Sequence, residues 1–184
     1  RLDHSEIYGP GIRSVFWTQG CTLACKGCWN TQYWPSKGGG EIEVSQILSE
    51  LDNLKGIEGI TLLGGEPLQQ SKASLELIKG CKDRGLSVFL YTGYDLSEFD
   101  ETMQSCFDLS DIAVTGRFVQ GLRDTTLRWR GSRNQQVHFI SNTYDESVLQ
   151  EQTEVECHIL PSGEIRMVGY AESELIQILG GSFS

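Results

Sequence analysis

Three cysteines lie close together near the start of the chain, in the stretch TQGCTLACKGCWN at residues 18–30. The thiols belong to Cys21, Cys25 and Cys28. Zinc sites have four protein ligands, or three and a water, and usually present paired C-x2-C units or histidines. A second pair is missing here and the histidines are scattered, whereas three thiolates on one short loop suit three corners of a cubane iron–sulfur cluster with one open iron. We therefore predict a 4Fe–4S cluster, with zinc as the alternative.

The composition narrows the class of protein. The chain has 184 residues and a net charge of −10, so nucleic acid, whose phosphates require Lys and Arg, is not an expected partner. Neither an apolar run long enough to span a membrane nor a leader segment is expected. The clustered cysteines favour metal binding in a reducing compartment, which predicts a cytoplasmic protein. The remaining cysteines, Cys81, Cys106 and Cys157, are expected to be buried by packing.

One segment departs from the acidic trend. Residues 117–133 contain five arginines and a single aspartate, Asp124. A local basic face on an acidic protein indicates a specific anionic ligand or a docking surface. The arginines are Arg117, Arg123, Arg128, Arg130 and Arg133.

Alternating apolar and polar runs predict an α/β protein with a mainly parallel sheet. Strands are predicted at residues 12–18, 59–63, 86–91, 111–115 and 137–141, and helices at 44–54, 71–84 and 96–106. Gly85 is expected to end the second helix in the left-handed conformation. Residues 155–168 predict a hairpin with a Leu-Pro-Ser-Gly turn, and residues 171–179 predict a short closing helix.

Four unusual loops directly follow predicted strands. They are the cysteine loop, Gly64-Gly65-Glu66-Pro67, Thr92-Gly93-Tyr94 and Gly116-Arg117. Ligands of parallel sheets bind at the carboxyl ends of the strands. We therefore expect the four loops to share one edge of the sheet and to form the site there.

Together these motifs resemble the radical S-adenosylmethionine (SAM) superfamily. C-x3-C-x2-C after a first strand and GGEP after the second carry this resemblance. GPGIRSVFWTQGCTLACKGCWN is similar to the signature of enzymes that activate glycyl-radical enzymes. LLGGEPLQQ, YTGYDLSEF and RGSRNQQVHFI resemble blocks of the activators of anaerobic ribonucleoside-triphosphate reductase. The resemblance covers residues 7–141, so we expect one radical SAM domain over residues 1–184, with 1–141 as its core and 142–184 as a C-terminal extension.

The resemblance implies a partial (β/α) barrel, open on one side, with a C-terminal β-hairpin. It implies that the three cysteines hold a 4Fe–4S cluster whose open iron binds SAM. One electron, from a flavodoxin or ferredoxin, would cleave SAM to a 5′-deoxyadenosyl radical. That radical would take a hydrogen atom from a glycine of a glycyl-radical enzyme, here the anaerobic ribonucleotide reductase. The basic segment 117–133 is the expected docking face for the electron donor.

The resemblance also suggests residues that bind SAM. Gly64 and Gly65 would let the backbone approach its methionine part. Glu66, followed by Pro67, would accept a hydrogen bond from the amino group, unless its carboxylate is solvated.

Weaker assignments concern residues further along the chain. Thr92 and Gly93 are expected to line the adenosyl pocket, with an ordinary loop as the alternative. Asn134 is expected near SAM or the partner, or as a turn cap. Arg13 would contact a partner loop or be a solvated surface residue.

Two departures from the family pattern leave the substrate open. Gly27 stands where the superfamily often has an aromatic residue, and Thr115 where an aspartate is expected. One alternative is therefore a radical SAM enzyme that modifies a different protein, a peptide or a small metabolite. An alternative of another class is an iron–sulfur electron carrier or a zinc-binding module without catalysis.

Overall fold

The computed structural model describes residues 1–150, 155–159 and 165–169. Its main element is a six-stranded sheet whose strands lie side by side in chain order. The strands are β1 (Leu2–Ser5), β2 (Arg13–Thr18), β3 (Gly59–Gly64), β4 (Ser87–Tyr91), β5 (Ile112–Thr115) and β6 (Gln136–Phe139). The helices are α1 (Val44–Asn53), α2 (Ser71–Asp83) and α3 (Glu101–Leu109). A separate antiparallel hairpin consists of β7 (Val155–Ile159) and β8 (Ile165–Gly169).

The α/β class is confirmed, but the two outermost strands of the sheet differ from the prediction. Strands β2 to β5 are parallel, as predicted, but β1 and β6 pair antiparallel with their neighbours. β1 was not predicted, because its LDHS sequence has no apolar alternation. The C-terminal hairpin is confirmed, while its turn and the helix predicted at 171–179 lie outside the described residues. The described strands form an open sheet and no closed barrel.

The third helix begins later than predicted. Leu96–Glu98 is a separate 3-10 turn, and α3 starts only after Asp100, whose carboxylate accepts a hydrogen bond from the Met103 N–H at 2.8 Å. An aspartate at this position satisfies an N–H that the first helical turn leaves without a partner. The end of α2 follows the prediction, because Gly85 adopts φ +72° and its N–H bonds to the Lys82 carbonyl.

The three helices cover one face of the sheet. Alternate strand residues such as Ile60, Leu62 and Leu90 pack there against the helices. Cys81 and Cys106 lie fully buried in this core, as predicted, and burial raises the pKa of both thiols to about 12. Cys157 on β7 is exposed, so the prediction that it is buried was wrong. None of the helices in the described part of the chain is long and apolar enough to cross a membrane.

The other face of the sheet carries a second, aromatic core. Phe89 stacks on Tyr91 at 4.6 Å between ring centroids and meets Trp129 edge-on at 5.0 Å. Ile112 and Val114 complete the buried part of this core. Residues before β6, among them Trp129 of the basic segment, and residues after β6 therefore fold back over this face of the sheet.

Arg13 is a fully buried residue at the start of β2. Its Nε donates to Thr61 Oγ1 at 2.9 Å, and Nη1 donates to the Pro10 carbonyl and to Ser87 Oγ. Nη2 donates to the carbonyls of Ile60 and Ser87. Burial lowers the pKa of Arg13, yet the five donor hydrogens of the guanidinium all have acceptors. Both interpretations of Arg13, as a partner contact and as a solvated residue, were wrong.

Two glycines make room for this guanidinium. A Cβ on Gly9 would lie 2.6 Å from Arg13 Cδ, and one on Gly59 would lie 2.7 Å from Arg13 Nη2. Arg13 of the Gly-Pro-Gly-Ile-Arg stretch thus connects β2, β3 and β4 at their amino ends. The cysteine loop begins at the opposite, carboxyl end of β2.

Asp111, directly before β5, is the second buried ionic centre. Its carboxylate accepts hydrogen bonds from Lys82 Nζ at 2.7 Å, from the Val88 N–H at 2.8 Å and from Ser141 Oγ at 2.6 Å. Burial alone would raise the pKa of Asp111, but these donors outweigh it and the pKa is lowered. Asp111 therefore joins α2, β4 and the segment after β6.

Replacing Arg13 by lysine should destabilise the fold strongly. One ammonium has three donors and cannot reach the separate acceptors of a planar guanidinium, so buried carbonyls lose their partners. We expect Arg13→Lys to lower the free energy of unfolding by about 2–4 kcal/mol. The exposed Arg133→Lys should change it by less than about 0.5 kcal/mol. Urea unfolding of both variants tests this, and equal midpoints would contradict the role of Arg13.

Asp111 should make stability depend on pH in the acid range. Because its pKa is lower in the folded than in the unfolded chain, its contribution is present above about pH 4 and is lost as the pH falls through the folded value. We expect Asp111→Asn to cost about 1.5–3 kcal/mol at pH 7, with the gap to the wild type narrowing towards pH 3. Thermal unfolding of the cluster-free protein measures both, and exposed Asp83→Asn is the control. A gap independent of pH would refute the assignment.

Candidate functional site

The cysteine loop leaves the carboxyl end of β2 and is bonded to the loop that follows β3. The Gly65 N–H donates to the Thr18 carbonyl at 2.8 Å, and the Glu66 N–H donates to the Gly20 carbonyl at 2.9 Å. The end of the cysteine loop returns to its start, because the Cys21 N–H bonds to the Trp34 carbonyl at 3.0 Å. The cysteine loop and the GGEP motif are thus close together, as expected, and backbone hydrogen bonds join them directly.

Two glutamines that follow GGEP after Leu68 strengthen this connection, and the sequence motifs did not predict this role. Gln69 accepts from the Thr22 N–H at 3.0 Å and donates to Thr22 Oγ1 at 2.7 Å and to the Tyr94 hydroxyl at 3.1 Å. Gln70 donates to the Gln19 carbonyl at 2.7 Å. Their only sequence signal was the pair of amides in LLGGEPLQQ. One short segment therefore positions both the cysteine loop and the loop after β4.

The fold itself requires glycine at positions 64 and 65, independently of any ligand. Gly64 has φ +109°, and a Cβ there would lie 2.6 Å from the Thr18 nitrogen. A Cβ on Gly65 would lie 2.4 Å from the Gly20 carbonyl oxygen and 2.9 Å from that of Tyr33. The two glycines permit the close approach of GGEP to the cysteine loop.

Glu66 is a buried carboxylate at the centre of this edge. Oε1 accepts from the Leu68 N–H at 2.9 Å and from Thr92 Oγ1 at 2.8 Å, and Oε2 accepts from the Gly93 N–H at 2.8 Å. Burial raises the pKa of Glu66, while these three donors act in the opposite direction. The alternative of a solvated Glu66 was wrong, since the residue is 1% exposed.

The buried carboxylate of Glu66 also explains why proline, threonine and glycine occur at the motif positions around it. Pro67 begins the short 3-10 helix that Glu66 caps, and Thr92 is buried beside it. A Cβ on Gly93 would lie 2.5 Å from Leu23 of the cysteine loop and 3.5 Å from Glu66 Oε2. The GGEP loop, the loop after β4 and the cysteine loop therefore meet at one place.

The thiols of Cys21, Cys25 and Cys28 are free and partly exposed. Burial raises the pKa of the Cys25 thiol, the other two cysteines raise it further, and the Phe118 backbone N–H lowers it. The Asn30 N–H points at Cys28 Sγ, 3.4 Å away. Three thiols on one loop, two of them with an N–H donor directed at the sulfur, are the ligand type that holds an iron–sulfur cluster. Among the described residues, no three His, Cys, Asp or Glu side chains are grouped as one metal ion would require.

The backbone of the cysteine loop is in unusual conformations. Ala24 has φ +45° and Gly27 has φ +78°. A Cβ on Gly27 would lie 3.0 Å from the side chain of Gln120, so glycine at this position lets the loop pack against the chain after β5. An aromatic residue at position 27 would not fit this conformation, which explains one departure from the family pattern.

Arg117 lies beside the same strand ends, as predicted for the Gly116-Arg117 loop, and also belongs to the basic segment. It forms a double ion pair with Glu98 and lies over the Tyr94 ring, 5.7 Å from the ring centroid. The Arg117 hydrogen bond lowers the pKa of Glu98 to about 2. The charge of Arg117 also acts on Cys25 and Glu66, where it lowers the pKa of each. Arg117 is therefore a cationic group of this site.

Asn134 contacts the backbone of the loop after β5. Its Nδ2 donates to the Arg117 carbonyl at 2.8 Å, and Gln135 Nε2 donates to the Gly116 carbonyl at 3.0 Å. The Gly-Ser-Arg-Asn-Gln block thus positions the loop that contains Arg117 and Phe118. Thr115, the other residue that departs from the family pattern, is buried, and its Oγ1 forms a hydrogen bond with His138 Nε2 at 2.9 Å.

Comparison with known proteins identifies the class. The chain matches the 4Fe-4S single cluster domain family over residues 7–138. It is 34% identical to the anaerobic ribonucleoside-triphosphate reductase-activating protein of Vibrio cholerae over 142 residues, which are 72% of this chain and 90% of the relative. The Escherichia coli K12 protein of that name is also 34% identical, over 73% and 92%. The pyruvate formate-lyase-activating enzyme of Clostridium pasteurianum is 34% identical over 53% of this chain and 44% of that enzyme.

These matches, with the three-cysteine loop, define an iron–sulfur enzyme of the radical SAM activating class. The chain belongs to the family of anaerobic ribonucleoside-triphosphate reductase-activating proteins. The resemblance inferred from the motifs is confirmed.

A side chain at Gly65 should separate the two motifs. The Cβ of Gly65→Ala would overlap backbone oxygens, which cannot rotate away, so the cysteine loop must shift. We expect anaerobically reconstituted Gly65→Ala to hold less than half the iron of the wild type, with stability lowered by about 1–3 kcal/mol. Gly40→Ala is the control, because a Cβ there has open space around it. Normal iron content in Gly65→Ala would contradict the close approach.

Proposed function

We propose that this enzyme cleaves SAM reductively and abstracts a hydrogen atom from a glycine of a glycyl-radical enzyme, namely anaerobic ribonucleotide reductase. The observation that supports this most directly is the bonding of the three-cysteine loop to Gly65 and Glu66 at the edge of a parallel sheet. The names of the relatives support the choice of the reductase as partner.

Cys21, Cys25 and Cys28 would hold the 4Fe–4S cluster through their thiolates. When bound, the cluster and SAM supply the electron and the 5′-deoxyadenosyl radical, which is chemistry that no side chain provides. The protein holds the loop in place through Gln69 and Gln70, and the three cysteine side chains would supply the protein ligands of the cluster.

Gly64, Gly65, Glu66 and Pro67 would form the wall on which the methionine part of SAM rests. Glu66 has its carboxylate already oriented by three donors, and Oε2 accepts only one of them. It therefore keeps acceptor capacity for an amino group. Thr92 and Gly93 would line the adenosyl part next to it. Asn134 would act from the edge of the site by positioning the Arg117 backbone.

The open sheet supports a partial (β/α) barrel of the radical SAM type, in which the loop of a large protein substrate can reach the strand ends. We propose a single domain over residues 1–184, with 1–141 as the catalytic core. In the extension 142–184, Glu156 of β7 bonds Ser5 Oγ at 2.7 Å, which attaches the hairpin to β1. Free cysteines support a reducing, cytoplasmic setting, with flavodoxin or ferredoxin as the electron donor.

The decisive experiment combines the purified enzyme with its proposed partner. The anaerobically reconstituted protein, reduced by dithionite, should convert SAM to 5′-deoxyadenosine. With anaerobic ribonucleotide reductase present, it should also produce a glycyl radical signal in electron paramagnetic resonance. SAM cleavage without that signal would favour a different substrate, and an absence of cleavage would refute the proposed chemistry.

Removing one cluster ligand should abolish the reaction. We expect Cys25→Ala to retain little iron and to form 5′-deoxyadenosine at least about 100-fold more slowly. Loss of a residue that only orients a metal ligand already costs about 10–100-fold, and here the ligand itself is removed. Exposed Cys157→Ala is the matched control and should keep both its iron content and its rate. A fully active Cys25→Ala would show that the cluster has other ligands.

A further inference from the structure

An exposed, partly apolar surface lies beside the cysteine loop. We call it the docking patch and define it by Lys26, Trp29, Val119, Leu122 and Arg123. The three apolar residues are 45%, 40% and 37% exposed, and exposed apolar side chains that form a group mark interaction sites. The guanidinium of Arg123 lies over the Trp29 ring, 4.7 Å from its centroid. A groove of about 520 Å³, lined by Lys26 and residues 118–121, runs along the patch.

The docking patch is on a different side of the cysteine loop from the GGEP motif. Leu23 faces Gly93 and Glu66, as the position of a Cβ on Gly93 shows. Gly27, four residues later, faces Gln120. The Phe118 N–H, next to the groove, is directed at the Cys25 thiol. The patch therefore reaches the thiols without passing Glu66, Thr92 or Gly93.

The charge of the patch is opposite to that of the chain. The chain has a net charge of −10, but Lys26 and Arg123 are both exposed and form no ion pair with the described residues. Arg117 of the same segment is neutralised by Glu98, so the basic segment does not act as a whole. Apolar and aromatic side chains beside free cationic groups are the composition of a protein interface that binds an acidic partner.

We propose that the docking patch binds an acidic one-electron carrier protein, which reduces the cluster through this side of the cysteine loop. The inference rests on the proposed function and adds the place where the electron enters. In this step the carrier loses one electron and the cluster gains it, while no bond or proton changes place. Entry on this side leaves the GGEP side free for SAM and for the glycine substrate.

The geometry favours the carrier over the glycyl-radical enzyme as occupant. A hydrogen atom is abstracted where the radical is formed, and that side of the loop faces Glu66 and Gly93. An electron needs no open path for atoms, so its donor can bind against the outer side of the cluster loop. A local positive patch also orients an acidic carrier that the rest of this acidic chain repels.

The test compares protein and chemical reductants. Arg123→Glu and the milder Arg123→Gln change the patch outside the cysteine loop, and exposed Lys55→Glu, before the amino end of β3, is the matched charge reversal. Reduced flavodoxin is the probe, and cluster reduction is followed by electron paramagnetic resonance at low ionic strength. We expect Arg123→Glu to slow this reduction about tenfold, Arg123→Gln less, and Lys55→Glu not at all. Added salt should slow the wild type and reduce the difference.

Reduction by dithionite separates this inference from the proposed function. With dithionite, all three variants should cleave SAM at the wild-type rate and hold the same iron. Wild-type reduction of Arg123→Glu by flavodoxin would overturn the inference alone. Loss of glycyl radical formation by dithionite-reduced Arg123→Glu would also overturn it and would assign the patch to the substrate enzyme. Failure of the wild type to cleave SAM with dithionite would instead refute the proposed function.

Discussion

The buried guanidinium of Arg13 is the interaction on which the sheet depends. A charge without water is stable only if its donors are satisfied, and here carbonyl and hydroxyl oxygens of β3, β4 and the loop before β2 do so. The same contacts set the relative positions of the three strands whose opposite ends form the site. A motif that resembles a signature of activating enzymes is therefore explained by internal packing and not by contact with a partner.

At the carboxyl ends of these strands, the site is organised around the buried carboxyl group of Glu66. Glu66 binds groups from three places: its own helix, the loop after β4, and, through its backbone, the cysteine loop. Gln69 repeats this connection with side-chain bonds. Fixing the cysteine loop in one conformation, with residues at positive φ, costs conformational entropy, and these hydrogen bonds offset that cost. The surrounding hydrogen bonds hold the loop that carries the thiols against the ends of the strands.

The basic segment shows how strongly local sequence and tertiary context can differ. Its arginines form one group by composition, but Arg117 is paired with Glu98 at the site, whereas Arg123 lies over Trp29 at the surface. Each therefore has a different role in the structure. Similarly, the three cysteines outside the cluster loop were expected to behave alike, yet Cys81 and Cys106 are buried and Cys157 is exposed on the hairpin.

The amino-acid sequence by itself determined the α/β class, the four parallel strands, the hairpin and the three-cysteine loop, because each depends on local periodicity or on spacing within a few residues. Only the tertiary structure decided the antiparallel edges, the burial of Arg13 and Glu66, and the roles of Gln69 and Arg117. The burial and the roles of these side chains depend on partners distant in the sequence, such as Thr61, Ser87, Thr92 and Glu98, which lie 48, 74, 26 and 19 residues away. The physical reason is that burial and hydrogen-bond partners are properties of packed elements, and a polar residue in the sequence does not reveal which donors and acceptors the fold will bring to it.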